Sequence, residues 1–172
     1  GLYLPSLANG FPMDDFLAKA ENDGQPNAMV ATLRPIGDYF GAHYWEGVFG
    51  RSRLFRPITI LSYALTYHWV GGHLAPANEA VPHHAINLLL HALTAWLVYL
   101  LLRRWRCSRG AAWIGAAAFA LHALHSEVVA SIVGRAELFA FGFGALGTWL
   151  LATRREHRPA ALWVRGFGAG AC

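Results

Sequence analysis

From Ala85 to Leu102 the chain runs eighteen residues without a formal charge, AINLLLHALTAWLVYLLL, and the run stops on Arg103, Arg104 and Arg106. At 1.5 Å of rise per residue a helix of that length extends about 27 Å, close to the roughly 30 Å core of a bilayer. The pattern predicts a membrane span over about 84–102. A second span, rich in alanine and other small residues that let helices approach closely, is predicted over about 111–125. A third is predicted over about 128–152, followed by Arg154, Arg155 and Arg158. The stretch from Arg103 to Gly110 has room for a tight reversal and little else, so the first two spans are expected to be antiparallel neighbours.

Ahead of the spans the pattern changes. Leu54, Ile58, Leu61, Leu65 and Trp69 recur at helical spacing, with Thr59, Ser62, Tyr63, Thr66 and Tyr67 on the other side. Pro57 suits a first helical position and Gly71-Gly72 ends the pattern, which predicts a helix near 57–70. That helix is short for a span, and an amphipathic helix lying in the membrane interface fits it better. It sits in a segment of about seventy residues, 9–82, far longer than a connection requires. Leu2 to Leu7 reads as the outer end of a first span (1–8), and 154–172 as a loop leading into a further one. The fold class expected is therefore all-α: a polytopic membrane protein of antiparallel transmembrane helices behind a long first loop.

Composition agrees with that class. Of the 172 residues, 55 % are hydrophobic and 14 % charged, against about a quarter charged in soluble domains. Thirteen of the fourteen basic residues are Arg, a bias that points to a GC-rich, bacterial genome. Arg103, Arg104, Arg106 and Arg109 fall on one side of the spans together with Arg154, Arg155, Arg158 and Arg165, which makes that side cytoplasmic and the 9–82 loop outward. The loop carries seven acidic and five basic residues, a near balance that gives nucleic-acid binding no support. Cys107 and Cys172 form no disulfide framework.

The candidate chemistry is sparse and placed at one face. Asp14 and Asp15 stand side by side at the head of the outward loop; one reading is a cap or solvated turn. The other is a general base able to take a proton from a hydroxyl, with the neighbouring carboxylate orienting the acceptor or raising the first group's pKa. Arg56, before Pro57, opens the interfacial helix, where its planar fork suits a phosphate or simply a lipid headgroup. Arg135 and Glu137 fall inside the predicted third span, where ionisable residues are costly and by default functional; a structural ion pair is the alternative. His122, His125 and Glu127 gather at the outer turn, opposite His83, His84, Asn87 and His91. Their spacing admits a metal or a haem iron, or ordinary interfacial hydrogen bonding.

Taken in order, these pieces resemble a known family. Asn9-Gly10-Phe11-x-x-Asp14-Asp15, Phe55-Arg56-Pro57-Ile58-Thr59, His84-x-x-Asn87-x-x-x-His91, Leu121-His122-x-x-His125-x-Glu127 and Gly134-Arg135-Ala136-Glu137 follow one another from end to end. The arrangement is similar to the N-terminal membrane part of the protein O-mannosyltransferases that carry tetratricopeptide repeats, members of the GT-C glycosyltransferase superfamily. Ala123 stands where that family commonly has proline. The resemblance implies part of a GT-C fold and an inverting transfer of a sugar from a polyprenyl- or dolichyl-phosphate carrier to a hydroxyl acceptor, such as Ser or Thr of a protein. It implies Asp14 as the base, Asp15 as its partner at the acceptor, and Arg56 as the contact to the lipid phosphate. The possible lining residues are Arg135, Glu137, His122, His125, Glu127, His84 and His91, with no definite cofactor and a divalent metal left open. The expected location is a bacterial cytoplasmic membrane with the Asp14-Asp15 loop outward. A membrane haem or metal protein using the outer histidines, and a helical scaffold without enzymatic activity, are the competing readings.

Overall fold

Helix α3, Val81–Arg104, is the axis of the molecule. In the computed structural model, which describes residues 3–11, 15–19, 21–22, 25–44, 54–75 and 78–155, α3 packs along α4 (Arg109–Leu121) and along α6 (Arg135–Arg155). Smaller helices α1 (Ile36–Gly41), α2 (Pro57–Trp69) and α5 (His125–Ala130) gather at the N-terminal end of α3 and α6. The chain is helical as expected, apart from a two-stranded ladder of β1 (Glu21–Asn22) and β2 (Gln25–Pro26), which the sequence did not announce.

The polar residues of α3 point inward. His83, His84, Asn87, His91 and Thr94 are all buried, while Leu89, Leu93 and Trp96 are about half exposed. Trp113 and Ile114 of α4, and Phe141, Phe143 and Leu151 of α6, are likewise exposed. This is the reverse of a soluble bundle, in which the apolar stripe is the buried one. It is the pattern of helices whose outer faces meet an apolar surround. By length and composition, α3 is the one helix among the described residues long and apolar enough to cross a membrane; α4 is apolar but shorter.

The reversal between α3 and α4 is as tight as its length requires. Arg106 takes a left-handed φ of 64° there, and Ser108 caps α4 by accepting from the amide of Ala111 at 3.2 Å. At the same end the Arg104 guanidinium donates to the carbonyl of Ala152 at 3.1 Å, tying α3 to α6.

Two expectations change. The stretch predicted as one span over 128–152 is divided: α5 ends at Ala130 and α6 begins at Arg135. The intervening turn exists because its backbone has partners elsewhere. Asp15 accepts from the amides of Ile132 and Val133, Asn87 Nδ2 donates to the Ser131 carbonyl at 2.7 Å, and Tyr63 Oη donates to that of Ile132 at 3.1 Å. Gly134 closes the turn against α5, where a Cβ would lie inside contact distance of the Val128 carbonyl.

The second change concerns α2, which matches the predicted helix near 57–70 but seats itself by its hydroxyl side. Thr59, Tyr63 and Thr66 are buried with Ile60 and Ala64, while Ile58 and Trp69 of the apolar stripe are exposed. The hydroxyls turn inward because a buried cation waits there.

Candidate functional site

That cation is Arg135, fully buried at the first turn of α6. Its Nε donates to Asn87 Oδ1 at 2.9 Å and its Nη2 to the His83 carbonyl at 2.9 Å. Nη1 reaches Ser62 Oγ and Thr66 Oγ1, both at 3.2 Å. The guanidinium lies 4.9 Å from the centre of the Tyr63 ring. A guanidinium can only donate, so His83 Nδ1, 3.3 Å from Nη2, presents its lone pair and the ring proton sits on Nε2. One side chain thus holds α2, α3 and α6 in register.

Asp15 is equally committed. It is fully buried; Oδ1 accepts from Val133 N at 2.8 Å and from Ser131 Oγ at 3.1 Å, and Oδ2 from Ile132 N at 2.9 Å. A carboxylate with three donors is a structural anchor for the turn. Asp14 lies outside the described residues. What the structure fixes is the attachment point next to it.

Arg56 is placed differently. It ends the approach to α2, with its guanidinium 5.1 Å from the centre of the Tyr44 ring. Burial pushes the Tyr44 phenol up, so the ring that faces Arg56 is neutral. Nη2 of Arg56 stands 3.8 Å from Oε1 of Glu137, in the first turn of α6. Both line a groove of about 300 Å³ between α2 and α6, together with Phe55, Ile58, Phe139 and Phe143. A partly exposed cation in an otherwise largely apolar groove suits an amphiphile with an anionic head.

The histidines separate into two sets. His84 is buried and its Nε2 donates to the Gly10 carbonyl at 3.2 Å. His91, also buried, does the same to the Ala120 carbonyl at 3.1 Å. His91 and His125 approach at 5.2 Å between ring centres, packed with Phe119 and Tyr3, around a cavity of about 170 Å³ that Glu137 also lines. His122 and Glu127 are exposed, and His122 Nδ1 accepts from the Leu124 amide at 3.3 Å. Among the described residues no group of three or more His, Cys, Asp or Glu is disposed to hold a metal ion.

Ser62, Tyr63, Thr66 and Ser131 are the site residues that sequence reasoning did not assign. A signal was present: hydroxyls at 59, 62 and 66, flanking Tyr63, form one helical face. A buried arginine needs such a face, because each of its donors requires an acceptor.

No protein-family profile matches the chain, and no solved structure matches it. Curated proteins are similar. Protein O-mannosyl-transferase Tmtc1 of Drosophila melanogaster is 34 % identical over 140 residues, which is 80 % of this chain and 15 % of that protein. Protein O-mannosyl-transferase TMTC3 of Homo sapiens is 31 % identical over 155 residues, 90 % of this chain and 16 % of that protein. Human TMTC1 is 33 % identical over 140 residues, 80 % of the chain and 15 % of its own length. The chain thus spans about a sixth of the relatives it matches.

Proposed function

From its place among the protein O-mannosyl-transferases, a family to a segment of which this chain is homologous, we propose that it forms the donor-binding part of a membrane glycosyltransferase. The reaction is transfer of a mannosyl residue from a polyprenyl- or dolichyl-phosphate carrier to a Ser or Thr hydroxyl of a protein. The observation that carries this reading is the groove between α2 and α6, lined by Arg56 and by Phe55, Phe139 and Phe143. Phosphate at Arg56 and prenyl chain against Phe139 and Phe143 is the seating that this chemistry favours.

In the proposed step the acceptor oxygen attacks the anomeric carbon as the bond from that carbon to the phosphate oxygen breaks. A single displacement inverts the configuration. The hydroxyl proton passes to Asp14, and the lipid leaves as a phosphomonoester whose growing charge Arg56 stabilises. Asp15 has no free acceptor role in this scheme; its three hydrogen bonds hold the chain beside Asp14 to the turn that starts α6. The exposed apolar faces of α3, α4 and α6 support a bilayer location, and the Arg-rich ends at 103–109 and 154–165 support an outward-facing loop.

Arg56 gives the direct test. In full-length protein, Arg56→Gln is expected to raise KM for polyprenyl-phosphate mannose about tenfold or more, since a charge-assisted hydrogen bond is lost, without a fall in melting temperature. An unchanged donor KM contradicts the reading.

A further inference from the structure

Glu137 makes a salt bridge to Arg56, and both side chains are accessible, at 57 % and 33 % exposure. A carboxylate beside the only cation among the described residues that line a phosphate groove is at first sight a disadvantage, since it cancels the charge that should attract the ligand. Its effect depends on the charge of what arrives. A sugar-loaded lipid phosphate is a phosphodiester with one negative charge. The spent lipid is a phosphomonoester, with a charge of about −1.5 to −2 at neutral pH. Next to Arg56 alone, the second charge would be attracted, and the spent lipid would hold the groove against the fresh donor. Next to Arg56 and Glu137 together, it meets a pair of zero net charge and gains nothing.

We propose that Glu137 is a specificity-determining residue that removes the advantage a doubly charged phosphomonoester would otherwise hold over a singly charged phosphodiester in this groove. The proposal rests on the reading of this groove as a lipid-phosphate site. Glu137 also lines the cavity beside His91 and His125. The role needs an exposed, weakly held pair, which a 3.8 Å separation supplies. The shape of the groove contributes the lipid selectivity; the charge pair contributes the choice between loaded and spent carrier.

The test uses full-length protein in detergent at pH 8 and low salt, with farnesyl phosphate as the monoester probe and methyl farnesyl phosphate as the diester. Glu137→Gln is expected to shift the ratio of affinities toward the monoester by about three- to tenfold, and Glu137→Asp to keep the wild-type ratio. A ratio unchanged in Glu137→Gln, or both probes weakened alike, overturns the proposal. Arg56→Gln separates the two levels. If it weakens both probes while Glu137→Gln leaves the ratio alone, the selectivity role fails and the phosphate site stands. If Arg56→Gln weakens neither, the groove is no phosphate site and both fall.

Discussion

Asp15 Oδ1 accepts from the backbone amide of Val133 at 2.8 Å, across 118 positions of chain. That bond, with its companions to Ile132 and Ser131, ties the head of the long loop to the turn from which α6 starts.

Asp15→Asn should therefore act on stability. The substituted amide can accept through one oxygen only, and its NH2 opposes backbone amides that also donate. With one or two buried donors left unmet, a loss of about 2–4 kcal/mol is expected. Thermal or denaturant unfolding measures it, and an unaffected transition would show that the turn does not need the carboxylate.

Gly134→Ala tests the close approach of the turn to α5. The added methyl would overlap the Val128 backbone, which cannot move as a flexible side-chain tip could. A destabilisation of about 1–3 kcal/mol is expected, with faster amide exchange in 131–135. A neutral outcome would mean that the break between α5 and α6 is wider than described.

Arg135→Lys keeps the charge and loses the fork. A lysine cannot serve Asn87, His83, Ser62 and Thr66 together, and of these Asn87, His83 and Thr66 are buried. About 2–4 kcal/mol should be lost, with increased amide exchange in α2. Retained stability would mean that α2 is held by its apolar contacts alone.

Tyr63→Phe removes one hydroxyl and nothing else. The ring stays under Arg135, but the Ile132 carbonyl loses its donor. About 1 kcal/mol is expected by the same unfolding measurement, a smaller effect than either Asp15→Asn or Arg135→Lys. A larger one would place the turn's main support at Tyr63.

The sequence carried the parts whose physics is local. An uncharged run ending on Arg103 and Arg104 makes α3 readable, and Pro57 with Gly71-Gly72 brackets α2 to within a residue or two. It also singled out Arg135 and Glu137, since ionisable residues in an apolar stretch demand a reason. It failed where long-range hydrogen bonds decide. The break at Ser131–Gly134 depends on Asp15 and Asn87, each far away in sequence, so hydropathy alone continued the helix through it. The face of α2 was legible as two stripes but not as to which one would be buried. Arg135 settles that by requiring hydroxyls. Asp15 was read as the partner of Asp14 at the acceptor, and hydropathy gave no sign of its three hydrogen bonds to the turn at 131–133.

The central claim is that this segment serves sugar transfer from a lipid phosphate, with Asp14 as the base. It is tested most directly by the rate at which full-length protein moves labelled mannose from polyprenyl-phosphate mannose to a Ser/Thr-bearing acceptor. Asp14→Asn should lower that rate by about 10²–10⁴-fold, the range that general-base catalysis supplies, while the melting temperature and donor binding stay as in wild type. Transfer at the wild-type rate in Asp14→Asn would contradict the account.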